Sequence, residues 1–192
     1  KAQALAEASE YTVRIGTSLL YKCRRLPDIW SKINEQCPEL KIEILPMAEY
    51  QSRGNIFSML GTKCDLWEGI YGSAGWEGLC QFLELERTPI CCAVAKNHRL
   101  AGIKKLNMRD LNGEYLVMPI EGVSLELDYF RNEVKTAYPT VHIIDSTYYG
   151  VDTFTLCEMN PYILITQPIY SDIHPNLVTI PLKTKYDVSK SC

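Results

Sequence analysis

The chain has 192 residues, of which 46% are apolar and 22% are charged, and its formal net charge at pH 7 is -3. This composition is typical of a folded globular protein and excludes a disordered chain. Lysine and arginine form no long basic stripe, so we do not expect the chain to bind DNA by itself. No apolar run reaches the roughly 18 residues of a membrane span, and residues 1–10 lack the apolar stretch of a secretory signal.

The first half of the chain predicts an alternation of strands and helices. Residues 1–10 are rich in helix formers and are predicted to be the end of a longer helix or a frayed tail. Apolar residues then recur first at strand spacing and next at helix spacing. The predicted elements are a strand Tyr11–Gly16, a helix with Leu26, Ile29, Trp30, Ile33 and Cys37 on one face, a strand Leu40–Leu45, a helix Gln51–Leu60 and a strand from Cys64.

The second half repeats this pattern after a long apolar segment, Thr88–Lys96, which we interpret as one strand crossing between two subdomains. The return crossing is expected near Ile165–Ile169, where Pro168 breaks the strand. Alternating strands and helices favour a parallel sheet with crossover helices. The predicted elements are a strand Glu114–Pro119, a helix with Leu127, Phe130, Val134 and Ala137 on one face, a strand Thr140–Asp145, a helix Thr153–Glu158 and a strand Tyr162–Thr166.

The eight cysteines and three histidines form no pattern typical of a metal site. No C-x-x-C pair is present, and no cysteine–histidine cluster has zinc-ligand spacing. Cys91 and Cys92 are adjacent in a strand, where their side chains point to opposite faces and do not readily form a disulfide. We expect most of the cysteines to be small buried apolar residues in a reducing cytoplasm, with one redox-active thiol as the alternative. The sequence therefore predicts no metal, no cofactor, no catalytic residue and no structural disulfide.

Three segments of the chain stand in a characteristic order. The first runs from Val13 through Leu26-Pro27 and Cys37-Pro38 to Ile44. The second runs from Ile56 through Gly61 to Leu66, and the third comprises residues 92–101 with 106–113. Each segment alone is weakly specific, whereas in their order and spacing, from Thr12 to about Leu182, they together resemble the regulatory domain of LysR-type transcription regulators.

The chain departs from the family pattern at several positions. Gly61 lies one position earlier, relative to Asp65, than is usual, and His98 is followed by Arg99 where proline is common. Met159-Asn160-Pro161 replaces the glycine-rich turn expected before the last buried strand. The sequence also stops soon after Tyr186, where the family usually supplies another strand and a helix.

The resemblance implies an α/β fold like that of type 2 periplasmic binding proteins, with two α/β subdomains joined by two crossing strands. Residues 12–88 with 167–192 are expected to form the first subdomain, residues 89–166 the second, and residues 1–11 the end of a linker helix or a tail. The implied protein is a cytoplasmic homodimer or higher homo-oligomer with no membrane contact. It binds a small-molecule effector between its subdomains and reaches DNA only through an absent N-terminal winged helix-turn-helix domain.

The expected effector site lies beyond the carboxyl ends of the strands. Helix N-termini there favour anions, and Thr17 and Ser18 add hydroxyl donors; the alternative is that these two residues only cap the helix. A small polar or carboxylated metabolite is the predicted ligand, although Glu121 disfavours a fully anionic one. The predicted effector-binding residues are Thr17, Ser18, Gln51, Ser52, Gly69, Tyr71, Pro119, Ile120, Glu121, Gly122, Tyr149 and Thr166.

Three other functions are compatible with the predicted fold. A periplasmic solute-binding protein of a transporter is the first, but the eight unpatterned cysteines and the helical N-terminus argue against it. An enzyme is the second, since a fold does not determine function; no nucleophile–base motif or phosphate loop favours it, and Asp65 is explained as a structural residue at a strand end. A redox sensor within the same regulator family is the third.

Overall fold

The computed structural model describes residues 11–21, 23, 25–47, 57–69 and 78–191. The predicted N-terminal tail and most of the predicted helix Gln51–Leu60 lie outside the described residues. Contacts between residues group the chain into two compact units, Lys1–Gly69 and Ile70–Cys192. The predicted subdomains differ from these units at residues 70–88 and 167–192, and that division stays a prediction.

The first unit is built on a parallel sheet of β1 (Tyr11–Ser18), β2 (Leu40–Met47) and β3 (Leu66–Glu68), in the order β2-β1-β3. Parallel neighbours need a crossover connection, and α1 (Leu26–Gln36) supplies it between β1 and β2. Both predicted strands continue two residues further than expected. Strand β2 extends through Pro46 because it lies at the edge of the described sheet. Proline has no backbone N–H, and an edge strand tolerates this because one of its sides forms no hydrogen bonds with a neighbouring strand.

Helix α1 confirms the predicted apolar helical face but buries none of its residues. Pro27 stands in its first turn, where the fixed φ of proline suits a helix and its missing N–H is not needed. Ile29 on the apolar face is 44% exposed. The helix ends at Gln36, ahead of Pro38, as predicted.

Gly61 follows the described helical residues 57–59. Its φ of +75° is the left-handed conformation that glycine adopts without steric strain. The N–H groups of Thr62 and Lys63 donate to the carbonyl of Met59, which would otherwise lack a partner at the helix end. The predicted role of Gly61 at a helix C-terminus is confirmed.

The second unit contains a six-stranded mixed sheet in the order β6-β10-β5-β9-β7-β8 and a separate antiparallel pair, β4 and β11. Among the residues of this unit that the structure describes, two helices accompany the sheet, and short 3₁₀ turns follow β6 and β9. The elements are β4 (Glu86–Pro89), β5 (Cys91–Ala95), β6 (Leu106–Asn107), β7 (Tyr115–Pro119), α2 (Leu125–Ala137), β8 (His142–Ser146), α3 (Val151–Met159), β9 (Tyr162–Thr166), β10 (Leu177–Lys183) and β11 (Asp187–Ser191).

The predicted β/α repeat of the second half is confirmed. Strands β8, β7 and β9 are parallel, with α2 and α3 as their crossovers. Strand β5 is antiparallel to β9 and β10, so the sheet is mixed rather than purely parallel. Apolar side chains from the strands and from Phe130 and Val134 of α2 form the core on one face of this sheet, while α3 contacts β5 and β9.

The predicted continuous strand Thr88–Lys96 is wrong, because the segment divides into β4 and β5 at Ile90. Pro89 has no N–H to continue a hydrogen-bond ladder, so the pairing changes there. β4 pairs with β11, whereas β5 pairs with β9 and β10. Ile90 itself is fully buried, and its carbonyl accepts the N–H of Leu182.

Arg99, the residue that stands where proline is common in the resembling family, forms an ion pair inside the second unit. Its Nε lies 2.6 Å from Oε1 of Glu114, and its Nη2 donates to the carbonyl of Asp110 at 2.8 Å. The Nε2 of His98, whose side chain is 8% exposed, lies 3.4 Å from the other oxygen of Glu114. These contacts join the loop after β5 to Glu114, the residue that precedes β7. Arg99 therefore has a structural role at the position where proline is common.

Candidate functional site

Thr17 and Ser18 lie at the carboxyl end of β1, and both bind the turn that follows. Thr17 is buried, and its Oγ1 accepts the N–H of Cys23 at 3.3 Å. The Oγ of Ser18 accepts the N–H of Tyr21 at 3.0 Å. Each hydroxyl therefore stabilises the connection between β1 and α1. This role is similar to helix capping, which was the alternative for both residues. It is not capping itself, because α1 begins only after Arg25.

Glu68 is a site residue that the sequence analysis missed. It pairs with Thr17 in the register of β1 and β3, is 7% exposed, and its Oε1 accepts the N–H of Arg25 at 3.0 Å. Burial, and then the Glu68 carboxylate, raise the pKa of the Cys23 thiol to about 11. The Glu68 carboxylate therefore binds a backbone N–H at the start of α1. The available signal was a charged residue at the end of an apolar strand.

Gly69 has a packing role in this unit. A Cβ at Gly69 would lie 2.7 Å from Nε1 of Trp67, and a Cβ at Gly16 would lie 2.8 Å from Cε3 of the same ring. The tryptophan therefore occupies the space that side chains at both positions would need. Three further predicted site residues, Gln51, Ser52 and Tyr71, lie outside the described residues.

Asp65 has the structural role that the sequence predicts. Its Oδ2 accepts the backbone N–H of Arg14 at 2.9 Å, and its Oδ1 accepts Nη2 of the same residue at 2.8 Å. These hydrogen bonds lower the pKa of Asp65 to about 2. The carboxylate joins the loop before β3 to β1, and both of its oxygens accept hydrogen bonds from Arg14.

The other predicted site residues come together at one edge of the second unit. Strands β7, β8 and β9 are parallel, so their carboxyl ends meet there. Pro119 pairs with Ser146, and the N–H of Ile120 donates to the carbonyl of Ser146 at 3.1 Å. Thr166 ends β9 at the same edge, where its Oγ1 accepts a hydrogen bond from the hydroxyl of Tyr149 at 2.7 Å.

Tyr149 and Thr166 form an enclosed pair rather than free ligand donors. Thr166 is buried, and burial raises the pKa of the Tyr149 hydroxyl well above its usual range. The Tyr149 ring lies 5.6 Å from the Phe154 ring and 5.7 Å from the Tyr170 ring, measured between centroids. These residues support the edge from inside the unit.

Helix α2 holds the turn 119–122 through two charged residues that the sequence analysis did not select. Gly122 has a φ of +87°, and its N–H donates to both carboxylate oxygens of Asp128 at 3.0 Å. Arg131, which is 2% exposed, donates through Nη2 to the carbonyl of Pro119 and through Nη1 to Asp145 at 2.6 Å. Asp128 and Arg131 are three residues apart and so lie on one side of the helix. A charged residue next to the apolar Phe130 was the available signal.

Exposed side chains at this edge are of both kinds, with carboxylates such as Glu121 and Asp145 and several large apolar side chains. Ile120 is 38% exposed, and four further large side chains in the loops and first helical turns after β7 and β8 are open to solvent. They are Val123, Leu125, Tyr148 and Val151. The edge therefore offers exposed apolar surface together with negative charge.

Among the residues that the structure describes, no group of three or more histidine, cysteine, aspartate or glutamate side chains is arranged to hold a metal ion. Within the same residues, no helix combines the length and apolar character needed to cross a bilayer.

No protein-family model matches the chain, and no curated protein sequence matches it significantly. Solved structures do match. The effector-binding domain of QuiR in complex with shikimate has a TM-score of 0.67 at 16% sequence identity, over 94% of this chain and 85% of that chain. The BenM effector-binding domain with its effector benzoate has a TM-score of 0.65 at 18% identity, over 94% and 81%. HinK, a LysR family transcriptional regulator from Pseudomonas aeruginosa, has a TM-score of 0.67 at 17% identity, over 99% of this chain and 64% of that chain.

Identities of 16–18% establish a common fold. The match extends over nearly the whole chain and agrees with the three sequence segments that resemble this family. The chain therefore has the type 2 periplasmic-binding α/β fold in the form found in the effector-binding domains of LysR-type regulators.

Proposed function

We propose that the chain is the effector-binding domain of a LysR-type transcription regulator, which senses a small molecule and controls a DNA-binding domain elsewhere in the full-length protein. The observation that carries this proposal is the structural match, over 94% of the chain, to domains in complex with small molecules, shikimate for QuiR and benzoate for BenM. The order of the three sequence segments supports it independently.

The proposed contact surface is the set of strand carboxyl ends. In the second unit, the accessible residues Ile120, Glu121 and Gly122 are proposed to touch the effector. Pro119, Tyr149 and Thr166, which are packed within the same unit, are proposed to support that surface. The roles of Thr17, Ser18, Gln51, Ser52, Gly69 and Tyr71 stay predictions that rest on the resemblance.

The proposed mechanism is a shift between conformations. An effector changes the activity of a regulator only if it binds one conformation more tightly than another. The same free-energy difference then couples effector binding to DNA binding. We propose that this domain works in the cytoplasm as part of a homodimer or higher homo-oligomer, and that it has no catalytic step.

Sensing is favoured over solute transport by two observations. The structural neighbours described above are regulators or regulator domains. In addition, five of the seven cysteines that the structure describes are buried, which suits the reducing cytoplasm of the proposed regulator.

A ligand screen tests the proposed function. A compound that binds only the folded protein raises its stability, by about 2.7 kcal/mol at a concentration 100 times the dissociation constant. We expect thermal-shift measurements on the purified chain to reveal a saturable ligand in a metabolite library.

Variants then locate the ligand. Ile120→Ala, at the proposed surface, is expected to weaken binding severalfold. Thr140→Val, at the amino end of β8, is the control and is expected to leave affinity unchanged. A screen without any ligand would contradict the proposed function, and a ligand insensitive to Ile120→Ala would place the site elsewhere.

A further inference from the structure

We propose that the second unit carries a surface that binds the phosphate backbone of duplex DNA, formed by Lys104, Lys105, Arg109 and Lys183. These four residues are named the basic patch. The proposal rests on the proposed function, in which the same polypeptide carries a DNA-binding domain, and goes beyond it by giving this domain a DNA contact of its own. It departs from the expectation, drawn from the absence of a long basic stripe in the sequence, that the chain by itself does not bind DNA.

The fold brings the four cations of the basic patch together from two distant parts of the chain. Lys104 and Lys105 directly precede β6, and Arg109 lies in the 3₁₀ turn that directly follows it. Lys183 ends β10 and pairs with Asn107 of β6 in the parallel register. Hydrogen-bonded neighbouring strands lie about 4.8 Å apart. The group is therefore a feature of the sheet, and the sequence alone does not show it.

The 3₁₀ turn that carries Arg109 is anchored from inside the unit. Met108 and Leu111, on either side of it, are buried in the core. The Oδ2 of Asp110 accepts the backbone N–H of Asn107 at 2.7 Å, which closes the start of the turn. The exposed cation is thus presented by an ordered backbone, and less conformational entropy is lost on binding.

The protein itself does not neutralise the basic patch. All four side chains are exposed, and none of them forms an ion pair with another residue that the structure describes. By contrast, the neighbouring cations Arg99 and Lys185 each form an ion pair with a glutamate. Asp110, adjacent to Arg109, is one carboxylate against four cations and already binds a backbone N–H. Since the whole chain has a net charge of -3, this local positive excess indicates a surface for a polyanion.

The surroundings of the basic patch favour a phosphate backbone over an acidic protein. Interfaces between proteins are centred on large apolar or aromatic side chains. Within the described residues 96–113, every leucine and methionine is buried and Ile103 is half-buried, so the exposed side chains there are polar or charged. Phosphate contacts need cations and no apolar anchor. DNA is also the polyanion that the proposed regulator holds nearby.

The size of the basic patch determines how strong the contact should be. Residues 104–109 span at most about 18 Å, and duplex DNA presents about ten phosphate charges over that length. Phosphates are therefore dense enough for four contacts. Such a contact is weak alone, but an attached DNA-binding domain raises the local concentration of DNA and makes it effective.

Fluorescence anisotropy tests the proposal. A labelled duplex of about 20 base pairs is titrated with the purified chain at about 20 mM salt. We expect saturable binding without preference among duplex sequences. Its logarithm should fall with the logarithm of the salt concentration with a slope of about -3.6, as for four phosphate contacts.

Two outcomes would contradict the proposal. A chain that does not bind the duplex at low salt, or binds it independently of salt, would overturn it and leave the proposed function to the effector screen. A polyglutamate peptide of equal charge that binds more tightly than the duplex would overturn the assignment to DNA and indicate an acidic protein as the partner.

Two lysines beside the same strand provide matched variants. Lys183 lies at one end of β10, whereas the N–H of Lys96 donates to the carbonyl of Asn176, just before the other end. Lys183→Gln is expected to weaken DNA binding severalfold and to reduce the salt slope by about one. Lys96→Gln removes the same charge about 20 Å away along the strand and should change neither.

A double variant extends the series. Lys104→Gln with Lys105→Gln is expected to reduce the salt slope by about two. All of these positions are exposed, so the variants should keep the wild-type melting temperature, which is measured alongside. Equal effects of Lys183→Gln and Lys96→Gln would show that net charge alone matters and would overturn the assignment to the basic patch.

Discussion

The Arg14–Asp65 pair shows how a charged side chain at a strand end serves structure. Arg14 contacts the carboxylate through both its backbone N–H and its guanidinium group. Because these contacts lower the pKa of Asp65 from 3.8 to about 2, the folded protein favours the ionised carboxylate. The resulting stabilisation is fully present above the ordinary pKa and is lost as the pH falls from about 4 to about 2.

Asp65→Asn is therefore expected to lower the melting temperature at neutral pH. The difference between wild type and variant should shrink across the window from about pH 4 to about pH 2, where the wild-type carboxylate becomes protonated. Thermal unfolding followed over this pH range measures it, with the exposed Glu39→Gln as the control variant. A difference that is independent of pH would contradict the proposed role of the ionised carboxylate.

The thiols make a second prediction at the residue scale. Burial raises the pKa of Cys91 to about 11 and that of Cys157 to about 12, whereas Cys37 is exposed. Since the thiolate is the reactive form, buried cysteines should react slowly with a thiol reagent at pH 8 and Cys37 quickly. Cys37→Ser should remove one rapidly reacting thiol from the native count.

The denatured protein gives the matching total. Without reductant we expect eight reactive thiols, because the sequence predicts no structural disulfide. A count well below eight in freshly purified protein, restored by reductant, would indicate a disulfide instead.

Sequence reasoning found side chains more readily than it found their partners. Thr17 and Ser18 were selected correctly as polar residues at the end of a strand, but their bonds to Cys23 and Tyr21 depend on the path of the following turn. Glu68 was missed because its partner, the N–H of Arg25, is 43 residues away in the chain. A contact of this range follows from the fold and not from local pattern.

At the scale of elements, α2 connects two strand ends as well as covering the sheet. Its N-cap Ser124 accepts the N–H of Leu127, and Phe130 and Val134 are buried in the core. Arg131 extends from the same helix to Pro119 of β7 and to Asp145 of β8. One helix therefore sets the distance between the loops at this edge.

Arg131→Met tests this connection. Removing the guanidinium leaves the carbonyl of Pro119 without its donor, and we expect a loss of about 1–3 kcal/mol in the free energy of unfolding. Asp145 is largely solvated and adds little to this loss. Urea denaturation of the variant measures the change. Lys135→Met, an exposed substitution on the same helix, is the control, and equal stability of Arg131→Met and wild type would show that the connection is dispensable.

Helices and parallel strands of this chain could be predicted because their signals are local. Pro38 marks the end of α1, and the apolar period of α2 marks its buried face. Strand β10 was not predicted, because Pro181 interrupts its apolar alternation. Proline is rare in interior strands, since it has no N–H to donate to a neighbouring strand. The division at Ile90 was missed for a related reason: only the pairing of β4 with β11 reveals that the segment changes partner.

At the scale of the whole molecule, α1 is the candidate contact between copies of the chain. None of its residues is buried, although its apolar face includes Trp30 and Ile29. Exposed apolar surface of this kind is typical of interaction sites, and tryptophan is favoured at interface anchors. We propose that this helix lies in the two-fold contact of the predicted homodimer.

Sedimentation tests the predicted dimer. At about 100 μM, well above a micromolar dissociation constant, we expect the wild-type chain to sediment as a dimer. Ile29→Glu should be monomeric, while Lys32→Glu, which changes an exposed polar position of α1, should retain the dimer. A wild-type chain that stays monomeric at this concentration would contradict self-association of the isolated chain.

The position of β10 has a consequence for protein synthesis. This strand lies between β5 and β6, yet the ribosome makes it after every other strand of that sheet. All five residues of β5 are buried in the finished protein, so until Lys183 has emerged the nascent chain carries an apolar strand with one unpaired edge. Such a segment is a target for chaperones and for aggregation. A messenger truncated before the codon for Leu177 would make this transient exposure permanent, so its product is expected to accumulate in inclusion bodies even though every residue of the first unit is present.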